Sequence, residues 1–320
     1  MEHIDILPWT EKYRPKKLEE VAGQKEVVES LKAFVKVKNM PNMLFAGPPG
    51  VGKTTCCLAL AHELFGDGYQ GNFLELNASD DRGIDIVRGR IKDFARSVSL
   101  GEAPFKLIFL DEGDALTADA QQALRRTMEA NSAVTRFIIS ANYSSRIIEP
   151  IQSRCAVFRF MPLAEKDMRK TLEHVVKAEK LKADDKAYEA IFYISEGDMR
   201  KALNIIQGCA MHSNHITEEL VHKTSSRATP KEVREMVSLA LGGKFQLARE
   251  NLDKLIITYG LSGEDIIYQV YREIGKLEID EKQRMQLIET VGECNFRLVQ
   301  GASERIQIEA MLARFACVSR

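Results

Sequence analysis

The 320-residue sequence has no Cys-x-x-Cys pair, no run of about 20 apolar residues and no large excess of either charge. Each absence removes a class of protein. Its six cysteines, Cys56, Cys57, Cys155, Cys209, Cys294 and Cys317, are scattered and lie mostly in apolar segments. That pattern argues against a zinc site or a disulfide frame and for reduced thiols in a core. The missing apolar run leaves no membrane-spanning helix to be expected, hence no membrane partner. The opening Met1-Glu2-His3-Ile4-Asp5 lacks the basic-then-apolar order of a secretory signal, so a cytoplasmic, nucleoid-associated location is expected. The formal net charge is −1, so any contact with nucleic acid has to come from local basic patches. What remains, 45% hydrophobic and 28% charged residues, is ordinary for a globular protein, and the length suits two or three domains.

The segment Gly47-Pro48-Pro49-Gly50-Val51-Gly52-Lys53-Thr54 fits G-x-x-x-x-G-K-[ST] at every fixed position. A short apolar run, Met43-Leu44-Phe45-Ala46, precedes it, and Thr55-Cys56-Cys57-Leu58-Ala59-Leu60-Ala61 follows as a helix. That is the strand–loop–helix context of a phosphate-binding loop, in which glycines turn backbone N–H groups inward around phosphate oxygens. The N-terminus of the helix adds partial positive charge. Lys53 is placed to reach β- and γ-phosphates, the Thr54 hydroxyl to ligate Mg²⁺, and Thr55 joins the nucleotide-binding set. A mere Gly/Pro-rich turn is the alternative, and the flanking strand and helix weigh against it.

Before the loop, Leu7-Pro8-Trp9-Thr10-Glu11-Lys12-Tyr13-Arg14-Pro15 mixes prolines, aromatics and charges and reads as an extended arm, not a helix. It is placed to cover an adenine ring, or else is a surface lead-in packed by Trp9. Residues 24–37 read as an amphipathic helix. After the loop helix, Phe73–Asn77 reads as a strand. Ile84, Val87, Ile91, Phe94 and Val98 then recur at helical spacing, with Arg88, Lys92 and Arg96 in a row beside them. Such a row either follows a phosphate backbone or is a solvated charged face. Phe105-Lys106-Leu107-Ile108-Phe109-Leu110 is an apolar strand ending in Asp111-Glu112. A carboxylate at such a strand end can hold Mg²⁺, and the second can orient and deprotonate an attacking water, although two acids at a strand tip also make a surface turn. A helix over 117–130 carries Gln121, Gln122, Arg125 and Arg126 on polar sides. A third strand, Thr135 to Ala141, ends at Asn142, either a turn residue or a sensor of the γ-phosphate. Another strand covers 156–160.

Alternating helices and strands predict a parallel sheet covered on both faces, with ligand beyond the strands' carboxyl ends. After Met161-Pro162 strands are expected to stop. The fold expected is α/β: a P-loop parallel sheet over 1–161, a small helical domain over 162–226, and an all-α domain over 227–320. The last helix would bury Ile306, Ile308, Met311, Leu312, Phe315 and Ala316.

These stations together, with Trp9 to Pro15, Leu110-Asp111-Glu112, Ser140-Ala141-Asn142, Ser153-Arg154-Cys155 and Gly197-Asp198-Met199-Arg200, resemble the AAA+ clamp loaders over essentially the whole chain. The Ser-Arg-Cys triplet is the most specific of them. The resemblance implies an AAA+ sheet domain, a helical lid and a helical collar for oligomerisation. It implies an ATPase stimulated by DNA and clamp, with ATP and Mg²⁺ held by Lys53, Thr54 and Asp111. Glu112 would be the general base and Asn142 and Arg200 the two sensors. Arg154 would act as an arginine finger on a neighbouring subunit. Tyr13, Arg14, Pro15 and Val21 would contact adenine, and Arg82, Arg88 and Lys92 would follow DNA. Partners implied are other small subunits, a large subunit, a ring-shaped sliding clamp and primer–template DNA. The clamp would be met by the helix over 117–130 and the loop before Phe105.

One departure stands out. The family usually has Ala where this chain has Gly113, and glycine there is expected to loosen the backbone at a cost of about 1 kcal/mol if helical. Two other readings remain open at this stage. One is a subunit that binds ATP but hydrolyses it poorly, against which intact Glu112, Asn142 and Arg154 argue. The other is a different P-loop enzyme such as a small-molecule kinase, against which the Ser-Arg-Cys triplet and the long helical tail argue.

Overall fold

The computed structural model describes residues 7–66, 69–80, 87–97, 103–225 and 230–318. The polypeptide forms two compact units, Met1–Lys182 with Ile191–Gln207, and Ala183–Ala190 with Gly208–Arg320.

The first unit is built on five parallel strands: β1 (Met43–Ala46), β2 (Phe73–Asn77), β3 (Lys106–Asp111), β4 (Thr135–Ala141) and β5 (Ala156–Arg159), in the order β2-β3-β4-β1-β5. All are parallel, with Leu44 beside Ile139 and Leu110 beside Ile139 from the other side. Every residue of β1 and five of six in β3 are buried, as a sheet covered on both faces requires. One core contains Phe45, Phe109, Leu60 and Leu31; the other contains Leu44, Ile108, Phe137 and Leu124. The covering helices are α1 (Lys25–Val37), α2 (Lys53–Phe65) and α3 (Ala118–Ala130), whose Thr117 caps it by accepting from the Ala120 amide. Next come α4 (Glu165–Ala178), α5 (Asp185–Ser195) and α6 (Met199–Ala210).

Several expectations are corrected. The arm 7–15 holds one helical turn, Trp9–Lys12, closed on the Pro8 carbonyl, which accepts from the Glu11 and Lys12 amides at 2.9 and 3.0 Å. Gln121 is buried, not on a polar side. It donates to the Leu116 and Arg146 carbonyls and accepts from the Ile148 amide, a full use of its amide group. Strands do not stop at Met161-Pro162: Lys182–Ala183 and His215–Ile216 are two-residue strands. The basic helix is described only over 87–97, as a wide turn Val87–Ile91 followed by Lys92–Arg96.

The second unit, beyond α7 (Glu218–Thr224), is helical throughout its described length: α8 (Pro230–Leu241), α9 (Phe245–Tyr259), α10 (Gly263–Ile274), α11 (Glu281–Val299) and α12 (Glu304–Val318). Its core joins Met236, Leu252, Ile266, Leu287, Met311 and Phe315. Ile306 is not on that face; it is 64% exposed, because two residues before Ile308 is the opposite side of a helix. Cys56, Cys57, Cys209 and Cys294 are buried free thiols, and burial alone pushes Cys56 up to about 12. Among the described residues no helix is long and apolar enough to cross a membrane.

Candidate nucleotide site

Strand order assembles the site. β4 lies between β1 and β3, so the loop after β1, the acids ending β3 and Asn142 after β4 emerge side by side at the carboxyl ends of the three central strands. The Gly47 amide donates to the Ala141 carbonyl at 3.2 Å, fixing the loop's first residue beside β4. At Gly47 an added Cβ would lie 2.3 Å from the Phe160 carbonyl oxygen, so a side chain is excluded there by packing. Gly50 and Gly52 both have positive φ, +69° and +101°. Gly52 ends the loop with no side-chain cap on α2, which leaves that helix's first amides for a ligand.

Lys53, the first residue of α2, is only 7% exposed. Its Nζ donates to the Gly47 carbonyl at 2.6 Å, the Pro48 carbonyl at 2.8 Å and Asn142 Oδ1 at 2.9 Å. Burial lowers its pKa, and nearby Asp111 and Asp114 oppose the shift. Thr54 Oγ1 donates to Asp111 Oδ2 at 2.7 Å, while Asp111 Oδ1 accepts from the Glu112 amide at 2.9 Å. Glu112 is exposed and holds a left-handed backbone, φ +53°, a conformation that costs a side-chain-bearing residue about 1–2 kcal/mol. Strain of that kind concentrates where geometry serves chemistry.

Gly113 is buried, in a short 3₁₀ turn, Gly113–Ala115. A Cβ there would lie 2.5 Å from Ile139 Cγ2. The glycine leaves room for Ile139, a packing role that the sequence did not show.

A cleft open to solvent gathers these parts. Pro49 to Thr55, Asp111, Glu112 and Asn142 line one side; Thr10, Tyr13, Arg14, Pro15 and Val21 line another; Leu163, Thr171, Met199, Arg200 and Leu203 close it. So the structure brings together the loop from Pro49 onward, both acids, Asn142, Arg200 and the four adenine-side residues, Tyr13, Arg14, Pro15 and Val21. Gly47 and Pro48 act from behind, through their carbonyls on Lys53. The lid side was only partly visible in sequence. Asp198 caps α6 by accepting from the Lys201 amide at 2.9 Å, and the Met199 amide donates to the Gly50 carbonyl at 3.0 Å. The start of α6 therefore rests on the phosphate loop. The Gly197-Asp198 pair, a helix-start signal, was the available hint. Gln24, left-handed at φ +50°, donates to the Met161 carbonyl at 2.7 Å and had no such signal.

Arg154 does not line this cleft. It is 40% exposed, ion-paired to Glu129 at 2.7 Å, and donates to the Pro150 carbonyl at 2.8 Å. Of the basic residues expected to meet DNA, Arg82 and the Arg88 side chain lie outside the described part. Lys92 shares an open groove with Arg96, Gln122 and Arg126.

A parallel sheet with a phosphate loop, an acid pair and a lid arginine around one cleft defines a P-loop ATPase of the AAA+ class. The AAA family profile ("ATPase family associated with various cellular activities") matches residues 43–163, the "RCF1/5-like, AAA+ ATPase lid domain" matches 170–211, and the "Replication factor C C-terminal domain" matches 228–314. The replication factor C small subunit of Methanococcus vannielii is 55% identical over 307 residues, 96% of this chain and 98% of the relative. That of Saccharolobus solfataricus is 54% identical over 315 residues, 98% and 95% of the two chains. The chain belongs to the replication factor C small subunit family. In fold it is similar to the Thermotoga maritima RuvB Holliday junction branch migration motor, with a TM-score of 0.56 and 19% identity over 80% of this chain and 91% of that one.

Proposed function

We propose that this chain is an ATP-hydrolysing subunit of a sliding-clamp loader: ATP binding drives assembly, clamp opening and binding of primer–template DNA, and hydrolysis releases the clamp on DNA. The observation that carries this reading is the single cleft in which Lys53, the acid pair, Asn142 and Arg200 meet, in a chain related over nearly its whole length to replication factor C small subunits. Clamp-loader complexes are hetero-oligomers, and other small subunits, a large subunit, the clamp and DNA are the proposed partners. A cytoplasmic, nucleoid-associated location follows from that role. The three profile matches support the division into 1–161, 162–226 and 227–320 as sheet, lid and collar domains.

In this reading Lys53 leaves the Gly47 and Pro48 carbonyls for the β- and γ-phosphates, and the first amides of α2 face the same oxygens. Thr54 Oγ1 and Asp111 Oδ2, already 2.7 Å apart, are the hard oxygen donors that Mg²⁺ favours. Among the described residues there is no cluster of three His, Cys, Asp or Glu side chains able to cage a metal by themselves. The ion would share its shell with phosphate oxygens and water, and when bound it would neutralise charge on the transferred phosphoryl group. Glu112 takes the proton of the attacking water. Asn142, which now holds Lys53, orients that water or the γ-phosphate. Arg200 reaches in from α6, and α6 rests on Gly50, so lid position and phosphate contact change together. Arg154, exposed and outside its own cleft, would exchange its surface pair with Glu129 for a neighbour's phosphate, which would make hydrolysis depend on assembly. The groove of Lys92, Arg96 and Arg126 supplies a local basic patch for a DNA backbone despite the chain's net charge of −1.

The test of this site is Glu112→Gln. It should bind ATP with affinity near that of the parent and lose hydrolysis by roughly a hundredfold or more, the usual contribution of a positioned base. Parental turnover in Glu112→Gln would remove Glu112 from its role.

A further inference from the structure

The arm that lines the base side of the cleft is tied to the lid by residues outside the cleft. The Tyr13 hydroxyl donates to Glu179 Oε1, and Lys12 Nζ pairs with the same oxygen at 2.9 Å. Glu179 directly follows α4, and its side chain is only 21% exposed. His174 on α4 meets the Tyr13 ring edge-on at 6.4 Å. On the other lid helix, Gln207 Oε1 accepts from the Trp9 amide at 3.1 Å. At its far end the arm is anchored to the loop helix, where Glu63 accepts from the Leu18 amide at 2.7 Å. The residues between those anchors, Thr10, Tyr13, Arg14 and Pro15, line the cleft.

We infer that Glu179 and Gln207 are positioning residues for nucleotide binding: they fasten residues 9–15 to the lid as a strap, so that the base-side wall of the cleft moves with the lid and not with the sheet. This rests on the proposed nucleotide site and deepens it. Neither residue touches the cleft. Each acts through the arm, Glu179 through Tyr13 and Lys12, Gln207 through Trp9. The strap crosses from α2 to α4 and α6, so releasing it loosens the base wall while leaving the phosphate loop, Lys53 and Asp111 as they are. The consequence is selective. Affinity for a whole nucleotide falls, and affinity for its bare triphosphate tail does not.

The experiment uses the full chain, the fluorescence of its one tryptophan, Trp9, and two probes, ATP and inorganic tripolyphosphate, each measured by calorimetry. Glu179→Ala should weaken ATP roughly three- to tenfold, the part of a charge-assisted hydrogen bond that survives partial exposure. It should leave tripolyphosphate binding unchanged and make Trp9 easier to quench with acrylamide. Tyr13→Phe should reproduce the ATP loss, and the double variant should be no worse than either single one, as for two members of one contact. Gln207→Met, which keeps bulk and removes the acceptor, gives a second variant should Glu179→Ala fold poorly; it too should expose Trp9. Equal weakening of ATP and tripolyphosphate, or unchanged ATP affinity and Trp9 quenching, would overturn the strap. Lys53→Ala separates the two levels: it should lose both probes, and if it binds ATP as the parent does, the nucleotide site itself has been misread.

Discussion

Gly50→Ala tests how the lid and the phosphate loop communicate. Gly50 has φ +69°, and an added Cβ would lie 1.7 Å from Asp198 Oδ1 and 2.0 Å from its Cγ. Three costs fall on one contact. A left-handed alanine costs roughly 1–2 kcal/mol. Moving Asp198 away removes its bond to the Lys201 amide, the cap of α6, worth about 1 kcal/mol. Displacing α6 also breaks the Met199 amide to Gly50 carbonyl bond, about another 1 kcal/mol. A penalty near 3 kcal/mol corresponds to roughly a hundredfold shift toward a lid undocked from the loop. The sheet core takes no part in the contact, so the lid should release before the unit unfolds. Arg200, on the first turn of α6, leaves with it. The expected result is a chain that melts within a few degrees of the parent, binds ATP more weakly and hydrolyses it at a small fraction of the parental rate. Asp198→Ala added to Gly50→Ala removes the colliding atoms and should restore part of the activity, although alone it weakens the cap. Parental hydrolysis in Gly50→Ala, or a double variant worse than the single ones combined, would refute the argument.

Two further outcomes follow from the same geometry. Gly113→Ala places a Cβ 2.5 Å from the stiff, buried Ile139 and should destabilise the first unit by about 1–3 kcal/mol, read as a lower urea midpoint with an unchanged slope; an unchanged midpoint would show that the site relaxes freely. Burial lowers the Lys53 pKa in the free chain, so above that lowered value the folded state binds fewer protons than the unfolded one, and Lys53's contribution to stability rises with pH until the ordinary lysine range is reached. Nucleotide phosphates favour the charged amine and reverse the shift. ATP binding at alkaline pH should therefore take up a proton, seen as a binding enthalpy that depends on the buffer's ionisation enthalpy; a buffer-independent enthalpy would contradict it.

The phosphate loop, the acid pair and the strands were legible in sequence because each is local: a fixed spacing, an apolar run, a polar tip. Phe73–Asn77 and Met43–Ala46 came out at the predicted residues for that reason. What sequence reasoning missed depends on pairs far apart in the chain. Two prolines made the arm read as extended, yet the Pro8 carbonyl accepts from the Glu11 and Lys12 amides and closes a turn, and the arm's hold on Glu179 joins residues 166 apart. Gln121 read as polar surface because periodicity places side chains on a face without saying that three backbone groups wait there for an amide. Gly113 read as slack because the space taken by Ile139 is set by β4, not by the neighbours of Gly113 in sequence. Ile306 was counted on the apolar face although its angular position already opposed that of Ile308. Arg82 and the side chain of Arg88 lie outside the described residues, so the basic row is followed only at Lys92 and Arg96.

The central claim is that this site fires only within an assembly, through Arg154. ATP hydrolysis should be measured for the chain alone, then with its large subunit, sliding clamp and primer–template DNA, for the parent and for Arg154→Ala. The surface pair of Arg154 with Glu129 contributes at most about 1 kcal/mol to folding, so the variant should remain folded and bind ATP. A low basal rate that rises strongly on assembly in the parent, and a rise that Arg154→Ala suppresses by roughly a thousandfold, is the predicted result. A rate indifferent to DNA, clamp and large subunit, or a full rise in Arg154→Ala, would contradict it.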